Sequence, residues 1–174
     1  MAWRRICSLV LAVCLPGISA VAAASPKDAT LTTSGLPVPR YVSLKSDHVN
    51  VRAGPTKDND VAWVYTRSGL PVEITAEFEN WRRVRDSEGA EGWVYHSLLS
   101  GRRTAVITMK SKDDLAALYE RADATSALNA RLQAGVVAQV RHCAAGWCHV
   151  TGNGFDGWIE QQRLWGVYAD EKVD

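Results

Sequence analysis

Residues 69–84, GLPVEITAEFENWRRV, can be laid over residues 135–150, GVVAQVRHCAAGWCHV, and this internal repeat constrains the fold more than any other feature of the chain. At a constant offset of 66, Gly69 meets Gly135, Val72 meets Ala138, Ile74 meets Val140, Trp81 meets Trp147 and Val84 meets Val150. One deletion later EGWVYHSLLSG falls on DGWIEQQRLWG at an offset of 65. There Gly92-Trp93 meets Gly157-Trp158, Val94 meets Ile159, Leu99 meets Leu164 and Gly101 meets Gly166. A chain written this way folds as two like units rather than one large domain.

Within each unit the signals are short and β-like. Val72-Glu-Ile74 alternates, Glu79-Asn80 and Ala145-Gly146 mark tight turns, and Asp86-Ser-Glu-Gly89 and Thr151-Gly-Asn-Gly154 mark further ones. Strands this short in units of about sixty residues predict an all-β chain of two small barrels. The expected boundaries are 40–101 and 102–169, with Leu36-Pro-Val-Pro39 closing an extended linker over 25–39 and a tail over 170–174. One segment carries two readings. SKDDLAALYERA, from Ser111, has helical spacing behind a capping-box start, yet the repeat lays it over SDHVNVRAGP, where Gly54 and Pro55 oppose a helix. Strand and loop is the favoured reading.

Ahead of the copies, MAWRRICSLVLAVCLPGISAVAAA has a basic start, an apolar stretch and a small-residue end, the pattern of a cleaved signal peptide over 1–24, with cleavage after Ala22 or Ala24. Its apolar run, broken by Pro16 and Gly17, is too short for a comfortable membrane span, so no transmembrane helix is expected in the mature chain. Cys7 and Cys14 leave with the leader. Cys143 and Cys148 remain, in a periplasmic or secreted setting where disulfides persist. Loss of Arg4 and Arg5 takes the formal charge from +1 to about −1, and Arg82, Arg83 and Arg85 are interleaved with acids. Neither feature suits a nucleic-acid or membrane-surface binder.

The order NVRAGP (50–55), WVY, GLPVEI (69–74), NW (80–81), EGWV (91–94) and LLSGRRT resembles bacterial SH3-like (SH3b) domains, and more narrowly the two-copy exported proteins of Gram-negative envelopes. The resemblance covers nearly all of the mature chain, more closely in the first copy. It implies strongly bent β-barrels serving as binding modules, often attached to cell-wall proteins. The second copy departs by carrying Leu118-Tyr119-Glu120-Arg121-Ala122 where the first has the NVRxGP loop.

Strand parity locates candidate ligand contacts independently. With Val94, Ile159, Val84 and Val150 inward, Trp93, Tyr95, Trp158, Trp81, Arg83, Trp147 and His149 point outward. Outward aromatics suit a peptide or peptidoglycan-stem ligand; the alternative is that they cover the barrel ends or join the copies. The candidates are Trp81, Trp93, Tyr95, Trp147 and Trp158, with Tyr65 and Arg52 added; Arg52 serves either a ligand carboxylate or its own loop. A second function class is an adaptor docking on another envelope protein through the 36–40 arm or the acidic tail. A monomer without cofactor is expected. No enzyme is expected, since His48, His96, His142 and His149 are scattered and no nucleophile-base set can be assembled.

HCAAGWCH (142–149) places two cysteines and two histidines within one hairpin. Zinc binding is disfavoured because Cys148 and His149 are neighbours on a strand and face opposite ways. A redox dithiol wants C-x-x-C at a helix N-terminus, and this spacing is wider. A disulfide Cys143–Cys148 is expected, worth roughly 2 kcal/mol through loop closure. At the equivalent places the first copy has Glu77 and Arg82, expected to form an exposed pair worth about 0–1 kcal/mol. Direct pairing of the cysteines puts Val140 and Val150 on opposite faces, which predicts a β-bulge near His142 or Cys143.

Overall fold

The computed structural model describes residues 30–31, 34–109, 111 and 114–174; the expected leader, with Cys7 and Cys14, lies outside them. A two-stranded pair, β1 (Thr30–Leu31) and β2 (Pro37–Val38), precedes two seven-stranded antiparallel sheets. The first sheet contains β3 (Arg40–Leu44), β4 (Val49–Arg52), β5 (Val61–Tyr65), β6 (Pro71–Phe78), β7 (Trp81–Arg85), β8 (Glu91–Tyr95) and β9 (Leu99–Ser100). Its order is β5-β4-β8-β7-β6-β3-β9. The second contains β10 (Thr104–Ile107), β11 (Leu115–Tyr119), β12 (Leu128–Gln133), β13 (Val137–Ala144), β14 (Trp147–Gly152), β15 (Phe155–Glu160) and β16 (Leu164–Trp165), in the order β12-β11-β15-β14-β13-β10-β16. Strand for strand, the two orders are the same. Within SKDDLAALYERA, Leu115–Tyr119 form β11 and residues 120–122 begin the loop after it, so the helical spacing is overridden by the sheet.

Each sheet curls around one core, since strands from both of its edges feed the same cluster. In the first copy Val42, Leu44, Val49, Val51, Val72, Ile74, Val84 and Val94 are buried, with Tyr65 from one edge and Leu99 from the other packed against them. In the second, Ile107, Leu118, Val140, Val150, Ile159 and Leu164 do the same. The Gly-Trp motifs have a steric cause. A Cβ at Gly92 would lie 2.4 Å from Val51 Cγ1, and one at Gly157 would lie 2.7 Å from the Tyr119 carbonyl oxygen, so only glycine lets β8 and β15 pass under their neighbours.

The second hairpin carries the bulge expected near His142, and the first carries one at the equivalent place. In β13–β14, Val140 faces Val150 and His142 faces His149, which leaves Arg141 as the extra residue. In β6–β7, Ile74 faces Val84 and Ala76 faces Arg83, leaving Thr75. The inserted residue returns Val140 and Cys143 to the core face, and Ala145 and Gly146, with φ of 50° and 80°, supply the two positive angles of the turn.

Segments from outside each hairpin then seal it. In the second copy Cys143 and Cys148 form a disulfide, both fully buried. The Cys143 backbone exchanges hydrogen bonds of 2.9 and 3.2 Å with Val173, which is itself a core residue. Gln161 Nε2 donates to the carbonyls of Tyr168 and Glu171, and Arg103 binds the Glu171 carboxylate with both terminal nitrogens. In the first copy the sealing segment comes from the other direction. β2 lies against β6, Val38 packs on the core, and Ser34 donates from its amide and hydroxyl to Glu77. Glu77 also accepts from Arg40 at 2.6 Å and forms an ion pair with Arg82 at 3.1 Å. The Glu77–Arg82 pair, expected to be exposed, is therefore buried: only 1% of the Glu77 side chain and 11% of the Arg82 side chain stay accessible.

The copies meet through rings and one buried carboxylate. Tyr41 stacks edge-on against Trp165 at 5.1 Å and lies 4.7 Å from Tyr168. The Tyr168 hydroxyl donates to Glu73, which Arg85 binds from the other side, and Glu73 is 3% exposed. Thr104 adds a hydroxyl bond to the Gly69 carbonyl, and Arg67 one to that of Gly135.

Candidate functional site

The outer faces of the two sheets carry matching rows. In the first copy, register pairs Phe78 with Trp81 and Trp81 with Tyr95, and beside this row Ala76 with Arg83, Arg83 with Trp93 and Trp93 with Arg52. In the second copy, Ala144, Trp147 and Glu160 form one row, and His142, His149, Trp158 and Tyr119 the other. Tyr119 thus occupies the position of Arg52, at an offset of 67 rather than 65.

Parity gave the direction of each ring, while coverage differs among them. Trp93, Tyr95, Trp147 and Trp158 are half-buried and outside both cores. Trp81 points outward but is only 8% exposed, with the Tyr95 ring edge-on to it at 5.4 Å, so it mainly covers the hairpin. Arg52 serves its own loop, Nη1 donating to the Asn59 carbonyl at 2.6 Å. Asn59 in turn accepts from the Thr56 amide and hydroxyl, fixing the AGP turn. Tyr65 packs on the core, and its hydroxyl donates at 2.9 Å to Asp86, whose other oxygen holds the Glu88 and Ala90 amides. Burial and then this bond raise the Tyr65 pKa. Among the described residues, the rings that join the copies are Tyr41, Trp165 and Tyr168.

The second face contains residues that sequence reasoning left out of the site. Tyr119 is edge-on to Trp147 at 5.7 Å. Trp158 is flanked by His149 at 5.2 Å and His142 at 6.1 Å. His149 Nε2 lies 2.9 Å from Asp156, and His142 Nδ1 lies 3.7 Å from Asp174. The alternation that turned His149 outward also held for His142 once the bulge was placed, so both were within reach of the sequence. Beside Trp147 a cavity of about 430 Å³ opens between the β13–β14 turn, the 3-10 turn Gln161–Arg163 and the tail. Its walls from the tail had no sequence signal. Among the described residues no group of three or more His, Cys, Asp or Glu could hold a metal ion, and no helix is long and apolar enough to cross a membrane.

The bacterial SH3 domain model matches the chain twice, over residues 45–101 and 112–166. No curated protein matches. Among solved structures, NlpC2 from Trichomonas vaginalis is similar at 15% identity and a TM-score of 0.34, over 79% of this chain and 51% of that one. This chain therefore spans about half the length of that protein. The two matches coincide with the two sheets of identical strand order, and the chain belongs to the bacterial SH3 domain family as two consecutive copies.

Proposed function

We infer that this chain serves as a binding module, as bacterial SH3 domains do, often in relation to the cell wall. We propose that this chain is an exported, non-enzymatic binding protein of the cell envelope that recognises a peptide or peptidoglycan-stem ligand through its outer aromatic faces. The carrying observation is that Trp93 and Trp158 stand half-exposed at equivalent register in the two copies, away from both cores and from the contact between copies. Rings in that position offer a large apolar surface at little conformational cost. Tyr95, edge-on to Trp81, extends the surface in the first copy, and Trp147 and Tyr119 extend it in the second, while Arg52 lies beside Trp93 in register. The signal-peptide pattern and the disulfide both favour an oxidising compartment, periplasmic or extracellular.

The adaptor reading relied on the 36–40 arm and the acidic tail; Val38 and Val173 of these segments pack on the cores of their own copies, while Leu36, Pro37, Pro39, Asp170 and Asp174 stay exposed. Purified sacculi provide the test. Wild-type protein is expected to co-sediment with them, and Trp93→Ala with Trp158→Ala to reduce the bound fraction about tenfold or more, since a ring at a binding hot spot is typically worth about 2 kcal/mol. Absence of wild-type binding would remove the reading and favour a protein partner.

A further inference from the structure

The copies differ most, functionally, at one pair of equivalent residues: Tyr95 in the first and Glu160 in the second, both registered opposite the hairpin tryptophan. In the first copy the Tyr95 ring lies edge-on to Trp81, leaving Trp81 8% exposed. In the second copy Glu160 leaves the Trp147 ring half-exposed, and the cavity of about 430 Å³ takes the place of the missing ring. Val167, Ala169 and Asp170 of the tail form a wall that the first copy lacks.

The chemistry of this cavity is that of a cation site. Trp147 offers an aromatic face, and Glu160 and Asp170 are carboxylates on its rim. Arg163 and Gln162 engage Glu160, both through Oε2 alone. Asp170 is exposed, with a positive φ of 59°. Gln161, which also lines the cavity, is 5% exposed; its Nε2 is committed to two tail carbonyls, while its buried Oε1 has no hydrogen-bond partner among the described residues. That oxygen is closed to solvent, so it lies behind the cavity wall and takes no part in the site. The geometry points to a site for a primary ammonium on an alkyl stem, such as a lysine-type side chain. The stem lies along Trp147, and the ammonium is held by cation–π attraction and by Glu160 and Asp170. Carboxylate ligands are excluded by the two acids.

This inference rests on the reading of Trp147 as a ligand contact and names the chemistry it contacts. The experiment titrates the full chain with Nα-acetyl-lysine amide while following the indole N–H resonances, with the uncharged norleucine analogue as control. The lysine probe is expected to shift the Trp147 signal saturably and the norleucine probe to leave it in place. Glu160→Gln should weaken the response about fivefold, the upper range for one partly exposed charge. Glu160→Tyr, which writes the first copy's residue into a backbone that already accepts it there, should abolish the response with the fold intact. Equal shifts from the two probes, or an unmoved Trp147, overturn the site. If sacculi bind and depend on Trp158 while Trp147 ignores the lysine probe, the cation site falls and the binding-protein reading stands; the opposite pattern keeps the site and removes the sacculus.

Discussion

At the scale of single residues, the two hairpins solve one problem with different bonds. A position that points into the barrel end needs a partner across the strands; the second copy uses Cys143 and Cys148, the first Glu77 and Arg82. The cysteine pair sits at a non-hydrogen-bonded place in the ladder, with the Cα atoms 4.1 Å apart and the Cys143 backbone turned toward Val173. Replacing both cysteines by alanine should lower unfolding free energy by about 2 kcal/mol through regained chain entropy. Denaturant unfolding measures this, and an unchanged midpoint would show that packing alone holds the hairpin. The acid at Glu77 was visible in the sequence, but its burial was not. The covering groups, Ser34 and Arg40, are remote in sequence, and no periodicity within the hairpin reports them. Trp81 carries the same lesson, since alternation fixes which way a side chain points and says nothing of what lies over it.

At the scale of elements, the bulge, the turn and the register are shared so closely that they can be exchanged. A Glu77→Cys, Arg82→Cys variant should oxidise spontaneously to a crosslink, seen as loss of free thiols by mass. The same variant removes the carboxylate that Ser34 and Arg40 bind, so the arm should be cut earlier than wild type in limited proteolysis. Failure of the thiols to pair would mean that the hairpin registers differ in solution. Most of the sheet was legible because its signals are local: alternating valines, Gly-Trp steps forced by close strand passage, and a parity conflict at Cys143 that only an inserted residue resolves. The segment from Ser111 was ambiguous because Leu115, Leu118 and Tyr119 satisfy helical spacing as well. The tie was broken by pairing, since Leu118 fills the place of Val51 in the core and Tyr119 meets Trp158. Leu128, Leu115 and Val61, exposed on or beside the outer strands, show no pattern that parity could have used.

At the scale of the whole molecule, the join between copies is expected to weaken in alkali. Burial, and then the negative charge of Glu73, push the Tyr41 pKa from 10.0 up to about 12. Burial and the bond to Glu73 raise that of Tyr168 as well. A tyrosine with a raised folded-state pKa contributes stability that is full below the unfolded value and is lost as pH climbs through the folded one. Unfolding free energy should therefore decline between about pH 10 and about pH 12. Tyr41→Phe, which keeps the ring contacts, should flatten part of that decline; an identical pH profile for the variant would place the titration elsewhere. The tail that lies over the disulfide also sets an order of events for its reduction. Cys143 and Cys148 are both fully buried, and the Cys143 backbone is bonded to Val173. A reductant must first lift the tail. The second copy should therefore lose its crosslink no faster than its tail opens.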